Sequence, residues 1–389
     1  MSQRTPIPPA RNHLQLLAPL ALASMAASIL LLSGCRTPEP GVDRDAVLQK
    51  MKQVADWQLA NPSGHRPTDW TQGAGYAGFM ALAQVSGDPR YLRAMIERGE
   101  ANGWKLGPRR YHADDHCVGQ MYCEVYFLKR DPRIIAPMRE QFDAILAAPR
   151  EFPTLEFRQR NVTDLWSWCD ALFMGPPAWV RLWKATGDPR YLDFAVTNWW
   201  RTSDYLYDPE EHLYFRDSTY FNRREVNGRK VFWSRGNGWV MAGLARVLQY
   251  LPEDHPARPR FEQQFKEMAN RVRLCQQEDG LWRSSLLDPA SYPLKETSGS
   301  GFFTYALAWG INNGLLPRAE FEPAVRKAWE GLVSCIADDG RLTHVQPIGA
   351  DPRRFDADAT EVYGVGAFLL AGSEIYRLGT PPRRARSTR

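Results

Sequence analysis

Apolar side chains recur at intervals of three and four residues along most of the chain after residue 43, which is the spacing of one face of an α-helix. This periodicity predicts twelve helices. They span residues 44–60, 74–86, 89–101, 116–129, 132–148, 170–187, 189–206, 237–251, 257–277, 301–314, 320–337 and 361–377.

A short hinge sequence separates several of these helices. The letters GDPRYL at 87–92 recur at 187–192, and RDPR at 130–133 is a shorter copy. In each copy, aspartate is suited to cap the next helix and proline to occupy its first turn. Repeated hinges of this kind indicate stacked helical hairpins.

Alternate helices begin with unusual polar or small residues. These segments are 70–75 (WTQGAG), 114–117 (DDHC), 168–170 (WCD), 234–239 (SRGNGW), 297–301 (TSGSG) and 360–364 (TEVYG). Six such helices indicate an inner ring of parallel helices, with the other six outside. The predicted fold is therefore all-α, an (α/α)6 barrel of six helical hairpins.

The long connections of this barrel are predicted at the amino-terminal end of the inner helices, which makes it the active-site end. They span residues 149–167, 207–236, 278–300 and 338–360, and loops of that length are usually functional. A short strand is expected near 213–217, and turns at 279–282 and 339–342. Residues 73–78 match GxGxxG formally, but no strand precedes them, so the pattern favours close helix packing over a dinucleotide site.

The N-terminus resembles a bacterial lipoprotein signal. Arg4 and Arg11 precede an apolar stretch from 14 to 32, which ends in LSGC at 32–35. We expect a signal peptide over residues 1–34, lipidation of Cys35, and an exported, membrane-anchored protein facing the periplasm or the cell surface. An uncleaved signal anchor is the alternative.

After this signal, we expect a tether at 35–42, a catalytic domain at 43–380 and a disordered tail at 381–389. A chain of 389 residues that is 44% hydrophobic can bury a large core. The net charge of +5 without a long basic run argues against a nucleic-acid partner. The five remaining cysteines are too widely spaced for a metal site, so isolated buried thiols are expected.

Two carboxylates are the candidate catalytic groups. Asp170 follows two tryptophans and opens an apolar segment, so burial is expected to raise its pKa, as a proton donor requires. Asp114 begins the neighbouring inner helix, and paired carboxylates are common in acid/base work on sugars. Simple helix capping is the alternative for both.

Cations, aromatic rings and polar groups of the same segments supply candidate binding residues. Guanidinium forks match carboxylate geometry, which favours Arg235 and Arg216 for an anionic sugar. A solvated surface arginine and a structural histidine are the alternatives for the arginines and histidines. The candidate substrate-binding residues are Trp168, Asp115, His116, Arg216, Trp233, Arg235, Asn237, Trp239, Ser298 and His344.

These motifs resemble the unsaturated glucuronyl and rhamnogalacturonyl hydrolases. The resemblance rests on Asp114-Asp115, WCD at 168–170, WSRGNGW at 233–239 and TSGS at 297–300, and it covers about residues 45–378. It implies an (α/α)6 barrel without metal or other cofactor. It also implies an oligosaccharide substrate left by polysaccharide lyases, with a 4,5-unsaturated uronic acid at its non-reducing end.

The resemblance implies a mechanism in which an acid protonates C4 of the enol ether and water adds at C5. The resulting hemiketal rearranges and the glycosidic bond breaks. By motif match, Asp170 is the acid and base and Asp114 its partner, while Trp233, Arg235 and Trp239 line the sugar site. In the rhamnogalacturonyl members a histidine stands where this chain has Arg216, and the change to arginine suits a sulfated neighbouring sugar, such as an ulvan-type disaccharide.

Two other functions are compatible with the same barrel. A sugar epimerase or isomerase would use several histidines, but only His116 and His344 lie near predicted inner-helix ends. A non-catalytic glycan-binding lipoprotein would explain the fourteen tryptophans, but it would not need Asp114 and Asp170 together.

Overall fold

The structure is a computed structural model that describes residues 41–158 and 162–379. Within them, thirteen α-helices are present: α1 Arg44–Ala60, α2 Trp70–Ser86, α3 Pro89–Ala101, α4 Gly119–Lys129, α5 Ala136–Ala147, α6 Ala171–Met174, α7 Pro176–Thr186, α8 Pro189–Leu206, α9 Ser234–Leu248, α10 Arg258–Leu274, α11 Thr297–Asn312, α12 Arg318–Val333 and α13 Val362–Leu378. Two short antiparallel strands, β1 Tyr207–Asp208 and β2 Leu213–Tyr214, follow α8.

Six helices form a closed inner ring. In order around the ring, α2, α4, α7, α9, α11 and α13 each pack against the next, and α13 packs against α2. The helices α1, α3, α5, α8, α10 and α12 lie outside them. Because outer and inner helices alternate along the chain, the inner helices run parallel. The predicted all-α (α/α)6 barrel is confirmed.

The contact that closes the ring depends on glycine. A Cβ atom on Gly78 of α2 would lie 2.5 Å from the carbonyl oxygen of Gly366 in α13. A Cβ atom on Gly366 would lie 2.2 Å from the carbonyl oxygen of Ala74. Any side chain here would push the two backbones apart. The GxGxxG pattern at 73–78 therefore serves helix packing, as predicted.

The hinges have the predicted caps. The carboxylates of Asp88, Asp131 and Asp188 accept hydrogen bonds from the backbone N–H two residues later, at 3.0, 3.0 and 3.1 Å. Gly87 and Gly187 end the preceding helices in the left-handed region, with φ of 64° and 77°. Left-handed backbone is accessible to glycine without steric cost, so these residues stop one helix and aim the next.

Three of the inner helices begin earlier than their periodicity predicted, whereas α4 begins later, at Gly119 instead of 116. α2 begins at Trp70 instead of 74, α9 at Ser234 instead of 237, and α11 at Thr297 instead of 301. For α11 the cap is the carboxylate of Glu296, which accepts from the N–H groups of residues 298 and 299 at 2.9 and 2.7 Å. The polar motifs therefore form the first helical turns.

The helix predicted at 170–187 is divided into α6 and α7 at Gly175. Pro177 has no N–H to donate to residue 173, and its ring would clash with that carbonyl in a continuous helix. A Cβ atom on Gly175 would lie 2.8 Å from the ring of Trp166. Similarly, residues 113–116 form a 3-10 turn ahead of α4, and Pro132–Ile134 form one ahead of α5.

The long connections have the short extended pieces that the sequence predicted. Leu213–Tyr214 pairs with β1, and isolated bridges join Trp282 to Glu296 and Ile336 to Leu342. Gly280 and Gly340, with φ of 84° and 95°, make the turns. These connections lie between the end of an outer helix and the start of the next inner helix, so they gather at one end of the barrel.

The other end of the ring contains a buried ionic cluster. Oε1 of Glu124 accepts from Nε of Arg181 at 2.9 Å and from Nη2 of Arg246 at 2.7 Å. All three side chains are at most 6% exposed. The cluster joins α4, α7 and α9 beside a cavity of about 810 Å³.

The cysteines Cys117, Cys123, Cys169, Cys275 and Cys335 are free and buried, as predicted. Among the described residues, no helix combines the length and the apolar character needed to cross a membrane. The expected signal peptide, Cys35 and the tail at 381–389 lie outside the described residues.

Candidate active site

The backbone around Trp166 fixes the start of α6. Trp166 has a φ of 60°, which is uncommon for a bulky residue. Its indole Nε1 donates to the carbonyl of Tyr111 at 3.1 Å, and its own carbonyl accepts from Oγ1 of Thr202 at 2.7 Å. Two other parts of the chain thus hold this residue, and they set the direction in which the next four residues leave the loop.

Asp170 precedes α6, but its side chain does not cap the helix. Among the described residues, its carboxylate accepts one hydrogen bond, from Sγ of Cys169 at 3.4 Å. Asp170 is only 9% exposed. The capping alternative therefore fails for this residue, and its carboxyl is free for another role.

Two opposing influences act on the pKa of Asp170. Burial raises it, because the charged form loses its hydration. Arg216, whose Nε lies 3.8 Å from Oδ2, lowers it, and Arg235 does so more weakly. The effect of burial is the larger one, so the pKa of Asp170 is raised above the usual value of an aspartate.

Asp114 lies in the 3-10 turn before α4. Its side chain is 18% exposed, and its Oδ2 is 3.7 Å from Nη2 of Arg109 and 3.6 Å from Nδ1 of His112. Burial raises its pKa to about 7, with Arg109 opposing and the charges of Asp170 and Asp115 adding to the rise. The 3-10 turn that carries Asp114 also packs against α6, which Asp170 immediately precedes. The structure therefore brings both candidate catalytic groups together.

Asp115 has a different environment from its neighbour. Its carboxylate is 4% exposed, and it accepts from the backbone N–H of Arg109 at 2.5 Å and from Nη2 of Arg109 at 2.7 Å. These bonds stabilise the turn that presents Asp114. The substrate contact expected of Asp115 remains a prediction.

His116 is buried inside the barrel wall, at 1% exposure. Nε1 of Trp179 donates to its Nδ1 at 3.3 Å, and its Nε2 lies 2.8 Å from the carbonyl of Arg110. Nδ1 is then the acceptor and Nε2 the donor. Burial lowers the pKa to about 4, so the ring is neutral. Both nitrogens are engaged, and none is left for a substrate in this arrangement.

Arg235 begins α9 between two aromatic rings. Its guanidinium carbon lies 4.5 Å from the ring centre of Trp233 and 5.0 Å from that of Tyr363. Its Nη1 and Nη2 donate to the carbonyls of Gln346 and Pro347, the latter at 3.0 Å. It is 1% exposed, and its Nε has no partner among the described residues. Arg235 therefore ties the connection before α13 to α9.

Trp233 also links α9 to the connection before α13. Its Nε1 donates to Oε1 of Gln346 at 2.8 Å, and it is 2% exposed. No sequence motif marks Gln346, since a single glutamine in a long loop carries no spacing signal. Tyr363 was also missed as a site residue, although the segment that contains it had been singled out.

Three other predicted binding residues are buried inside the barrel. Asn237 accepts from the N–H of Tyr214 at 2.7 Å and donates to the carbonyls of Tyr214 and Trp233 at 3.1 Å each. Ser298 donates to Oε1 of Glu296 at 2.5 Å. Trp239 is 1% exposed. They shape the wall behind the site, and their predicted substrate contacts remain predictions.

Arg216 lies at the mouth of the site, on the connection before α9. Its Nη1 donates to Oδ2 of Asp217 at 2.7 Å, and its guanidinium carbon lies 4.7 Å from the ring centre of Phe157. Its carbonyl accepts from the N–H of Cys169 at 2.8 Å, which fixes it beside Asp170. The side chain remains 17% exposed, so a substrate group can reach it.

Trp168 and His344 complete the predicted set. Trp168 is 4% exposed, and its ring centre lies 4.7 Å from that of His112, a residue that the sequence analysis did not select. His344 is half-buried on the connection before α13, where its Nδ1 shares a hydrogen bond with Thr343 at 2.8 Å. Burial lowers the pKa of His344.

The described part of the chain contains no cluster of three or more His, Cys, Asp or Glu side chains that could hold a metal ion. It does contain a partly enclosed group of two carboxyls, two guanidinium ions and aromatic rings at the amino-terminal end of the inner helices. That set is suited to proton transfer to and from an anionic, ring-shaped ligand.

Comparison with known proteins gives one family across nearly the whole described chain. The model of glycosyl hydrolase family 88 matches residues 43–379. An unsaturated 3S-rhamnoglycuronyl hydrolase of Formosa agariphila is 40% identical over 375 residues, which cover 94% of this chain and 98% of that protein.

Two further similarities agree. A protein of the same name from an Alteromonas species is 35% identical over 83% of this chain and 84% of its own length. Among solved structures, a glycosyl hydrolase family 88 protein from Bacteroides vulgatus superimposes with a TM-score of 0.78 at 32% identity. It covers 86% of this chain and 99% of its own.

Proposed function

The chain belongs to glycosyl hydrolase family 88, and on that premise we propose how its site works and which sugar lies next to the bond that breaks. The protein is a glycoside hydrolase that removes a 4,5-unsaturated uronic acid from an oligosaccharide. This assignment favours the hydrolase over the epimerase and the non-catalytic glycan-binding protein.

The observation that carries the proposed site is the state of Asp170. Its carboxyl is buried, is not used as a helix cap, and has a raised pKa. A carboxyl in that state can hold a proton and release it to a bound substrate. The second carboxyl, Asp114, shares the site and favours a protonated partner.

We assign the chemical steps as follows. Asp170 gives its proton to C4 of the enol ether, and positive charge develops at C5. A water molecule adds its oxygen to C5, and its proton passes to the carboxylate of Asp170. The C5 hemiketal then opens to a ketone by breaking its bond to the ring oxygen. The hemiacetal left at C1 expels the neighbouring sugar as an alcohol.

The neighbouring sugar is proposed to be a sulfated rhamnose. The relatives from Formosa agariphila and Alteromonas are named unsaturated 3S-rhamnoglycuronyl hydrolases. In this chain Arg216 offers a partly exposed guanidinium, held by Asp217 and Phe157, beside Asp170. A guanidinium matches an oxyanion with two parallel N–H bonds, which supports a sulfate contact at this residue.

The lipoprotein signal in the sequence supports export and anchoring through Cys35. An enzyme that needs an unsaturated non-reducing end depends on a polysaccharide lyase, since lyase cleavage creates that double bond. We therefore propose that the protein acts after such a lyase, at a membrane surface facing the periplasm or the exterior.

The direct test follows the ultraviolet absorbance of the unsaturated uronate in lyase products of ulvan, pectin and glycosaminoglycans. The wild-type protein should consume the absorbance fastest with the sulfated rhamnose disaccharide. Asp170→Asn should lower kcat by about 10²–10⁴-fold, the usual contribution of general acid–base catalysis. Asp193→Asn, at an exposed aspartate of α8, is the matched control.

Specificity is tested with the same disaccharide after desulfation. If Arg216 binds the sulfate, Arg216→Gln should lower kcat/KM for the sulfated substrate more than for the desulfated one. Equal losses of kcat/KM with both substrates would show that Arg216 does not bind the sulfate. No turnover of any unsaturated product by the wild-type protein would contradict the proposed substrate altogether.

A further inference from the structure

His112 lies between an aromatic wall and a catalytic carboxyl. Its ring centre is 4.7 Å from that of Trp168, with an angle of 42° between the planes. On the other side, its Nδ1 is 3.6 Å from Oδ2 of Asp114. The side chain is 12% exposed. The imidazole is therefore part of the wall of the site.

Neither ring nitrogen has a hydrogen bond with any described residue. Nδ1 is fully buried and unpartnered, and 3.6 Å is too long for a hydrogen bond to Asp114. An unsatisfied buried polar group costs about 1–3 kcal/mol. His116, only four residues later, uses both of its nitrogens. The free nitrogens of His112 thus indicate a partner that binds in the site.

The surrounding charges keep this ring neutral. Burial and the cations Arg109 and Arg216 lower the pKa of His112 to about 3, with Asp115 opposing. A neutral imidazole has one donor and one acceptor nitrogen. It can bond a hydroxyl without competing for the proton that Asp170 must deliver.

We propose that His112 is a substrate-binding residue whose imidazole bridges Asp114 and a ring hydroxyl of the unsaturated uronate. The inference rests on the proposed function, since it requires a uronate beside Trp168. Nε2 contacts the hydroxyl, and Nδ1 contacts Oδ2 of Asp114 after a small approach of the two side chains.

This bridge gives the pair two hydrogen-bonding states. When Asp114 is ionised, Nδ1–H donates to its carboxylate and Nε2 accepts from the sugar hydroxyl. When Asp114 is protonated, its O–H donates to Nδ1 and Nε2–H donates to the sugar. In both states every polar atom has a partner, and the carboxyl orients the tautomer of the ring.

The test compares three substitutions in steady-state kinetics with the unsaturated disaccharide. His112→Phe keeps an aromatic ring against Trp168 but removes both nitrogens. It should raise KM by about 2–15-fold, the equivalent of one neutral hydrogen bond, with a smaller change in kcat. His112→Gln can place an amide near the position of Nε2, and it should recover part of the loss. His255→Ala, in the turn between α9 and α10, is the control.

Substrate analogues that lack one ring hydroxyl of the uronate identify the contact. With one analogue, the wild-type protein should lose as much affinity as His112→Phe loses with the full substrate. His112→Phe should lose nothing further with that analogue. Thermal unfolding of each variant separates binding effects from misfolding.

The two proposals fail differently. Wild-type turnover together with an unchanged KM in a folded His112→Phe variant would overturn the role of His112 and leave the proposed function intact. The role of His112 would also be overturned if, for every analogue, the affinity lost with the missing hydroxyl and the affinity lost in His112→Phe were additive. Absence of wild-type turnover on all unsaturated substrates would overturn both.

Discussion

Nε of Arg216 lies 3.8 Å from Oδ2 of Asp170, and no hydrogen bond joins the two side chains. Arg216 also pairs with Asp217, whose Oδ2 lies 2.7 Å from its Nη1, so its guanidinium is close to two carboxylates. Arg216 lowers the pKa of Asp170 against the larger effect of burial. The cation thus limits how tightly the acid holds its proton.

Removing this cation should shift the alkaline limit of activity. In its proposed role Asp170 must be protonated to act, so activity should fall as pH rises through its pKa. In Arg216→Gln that pKa should be higher, because a lowering influence is lost while the effects of burial and Arg235 remain. The pH profile of kcat/KM on the desulfated disaccharide should therefore extend to higher pH.

Arg93→Gln, at an exposed position of α3, is the control for Arg216 and should leave the profile unchanged. An alkaline limb that stays in place in Arg216→Gln would show that Arg216 does not act on the essential acid, and one that moves to lower pH would contradict the predicted direction.

Asp114 makes stability depend on pH. Its pKa is about 7 in the folded protein and near 4 in an unfolded chain, so the folded state binds the proton more tightly. Its contribution is fully present below pH 4 and is lost as pH rises to about 7, by up to about 4 kcal/mol. Compared with Asp114→Asn, the free energy of unfolding of the wild-type protein should fall across this interval.

Urea unfolding at pH 4.5, 6 and 7.5, each as a difference between the wild-type protein and Asp114→Asn, measures this effect. Other titrating groups cancel in the difference. A difference that does not vary with pH would mean that Asp114 is ionised throughout in the folded protein.

Arg235 should keep the connection before α13 ordered. Its fork donates to the carbonyls of residues 346 and 347 while its plane packs between Trp233 and Tyr363. Arg235→Lys keeps the charge but cannot reproduce the planar fork. We expect both Lys and Gln variants to lose about 1–3 kcal/mol of stability, the cost of leaving buried groups unpaired.

Limited proteolysis locates the Arg235 effect. The variants should be cleaved faster within residues 346–354, where the wild-type loop is tied to α9, while cleavage elsewhere should match that of Arg93→Gln. Unchanged cleavage in this loop would contradict the tie.

The cluster at the other end of the barrel should control stability without touching the chemistry. Glu124→Gln removes the carboxylate that two buried guanidinium groups share. Breaking a buried ionic group by removing one partner costs about 3–5 kcal/mol. The midpoint of urea unfolding should fall accordingly, while kcat of the folded protein stays close to that of the wild type.

Glu140→Gln, at an exposed position of α5, is the matched control for Glu124→Gln. A large fall in kcat with unchanged stability would place Glu124 in communication with the active site.

Much of the fold was accessible from the sequence because helical periodicity and hinge chemistry act locally. The repeated Asp-Pro hinges predicted both the hairpins and their caps. The errors occurred where single residues outside the periodic pattern decide: α11 starts early because Glu296 caps it, and Pro177 with the ring of Trp166 divides α6 from α7. Neither influence has a periodic signal.

The site was partly accessible for a similar reason. Asp170, Asp114 and Arg216 could be selected by residue type and position, and the structure brings them together. Side-chain direction could not be predicted, and it separates Asp114 from Asp115 and His112 from His116. His112 lies two residues before Asp114, so a search for polar neighbours of this candidate catalytic carboxyl would have found it.

The close approach of Gly78 and Gly366 joins the first inner helix to the last one. During synthesis, the barrel therefore stays open until the final helix emerges, and no earlier fragment can complete its wall. A stop codon shortly before Val362 would remove little mass, but it would expose one flank of α2 along its length. We expect such a chain to be degraded or to aggregate, because the ring of inner helices cannot close without α13.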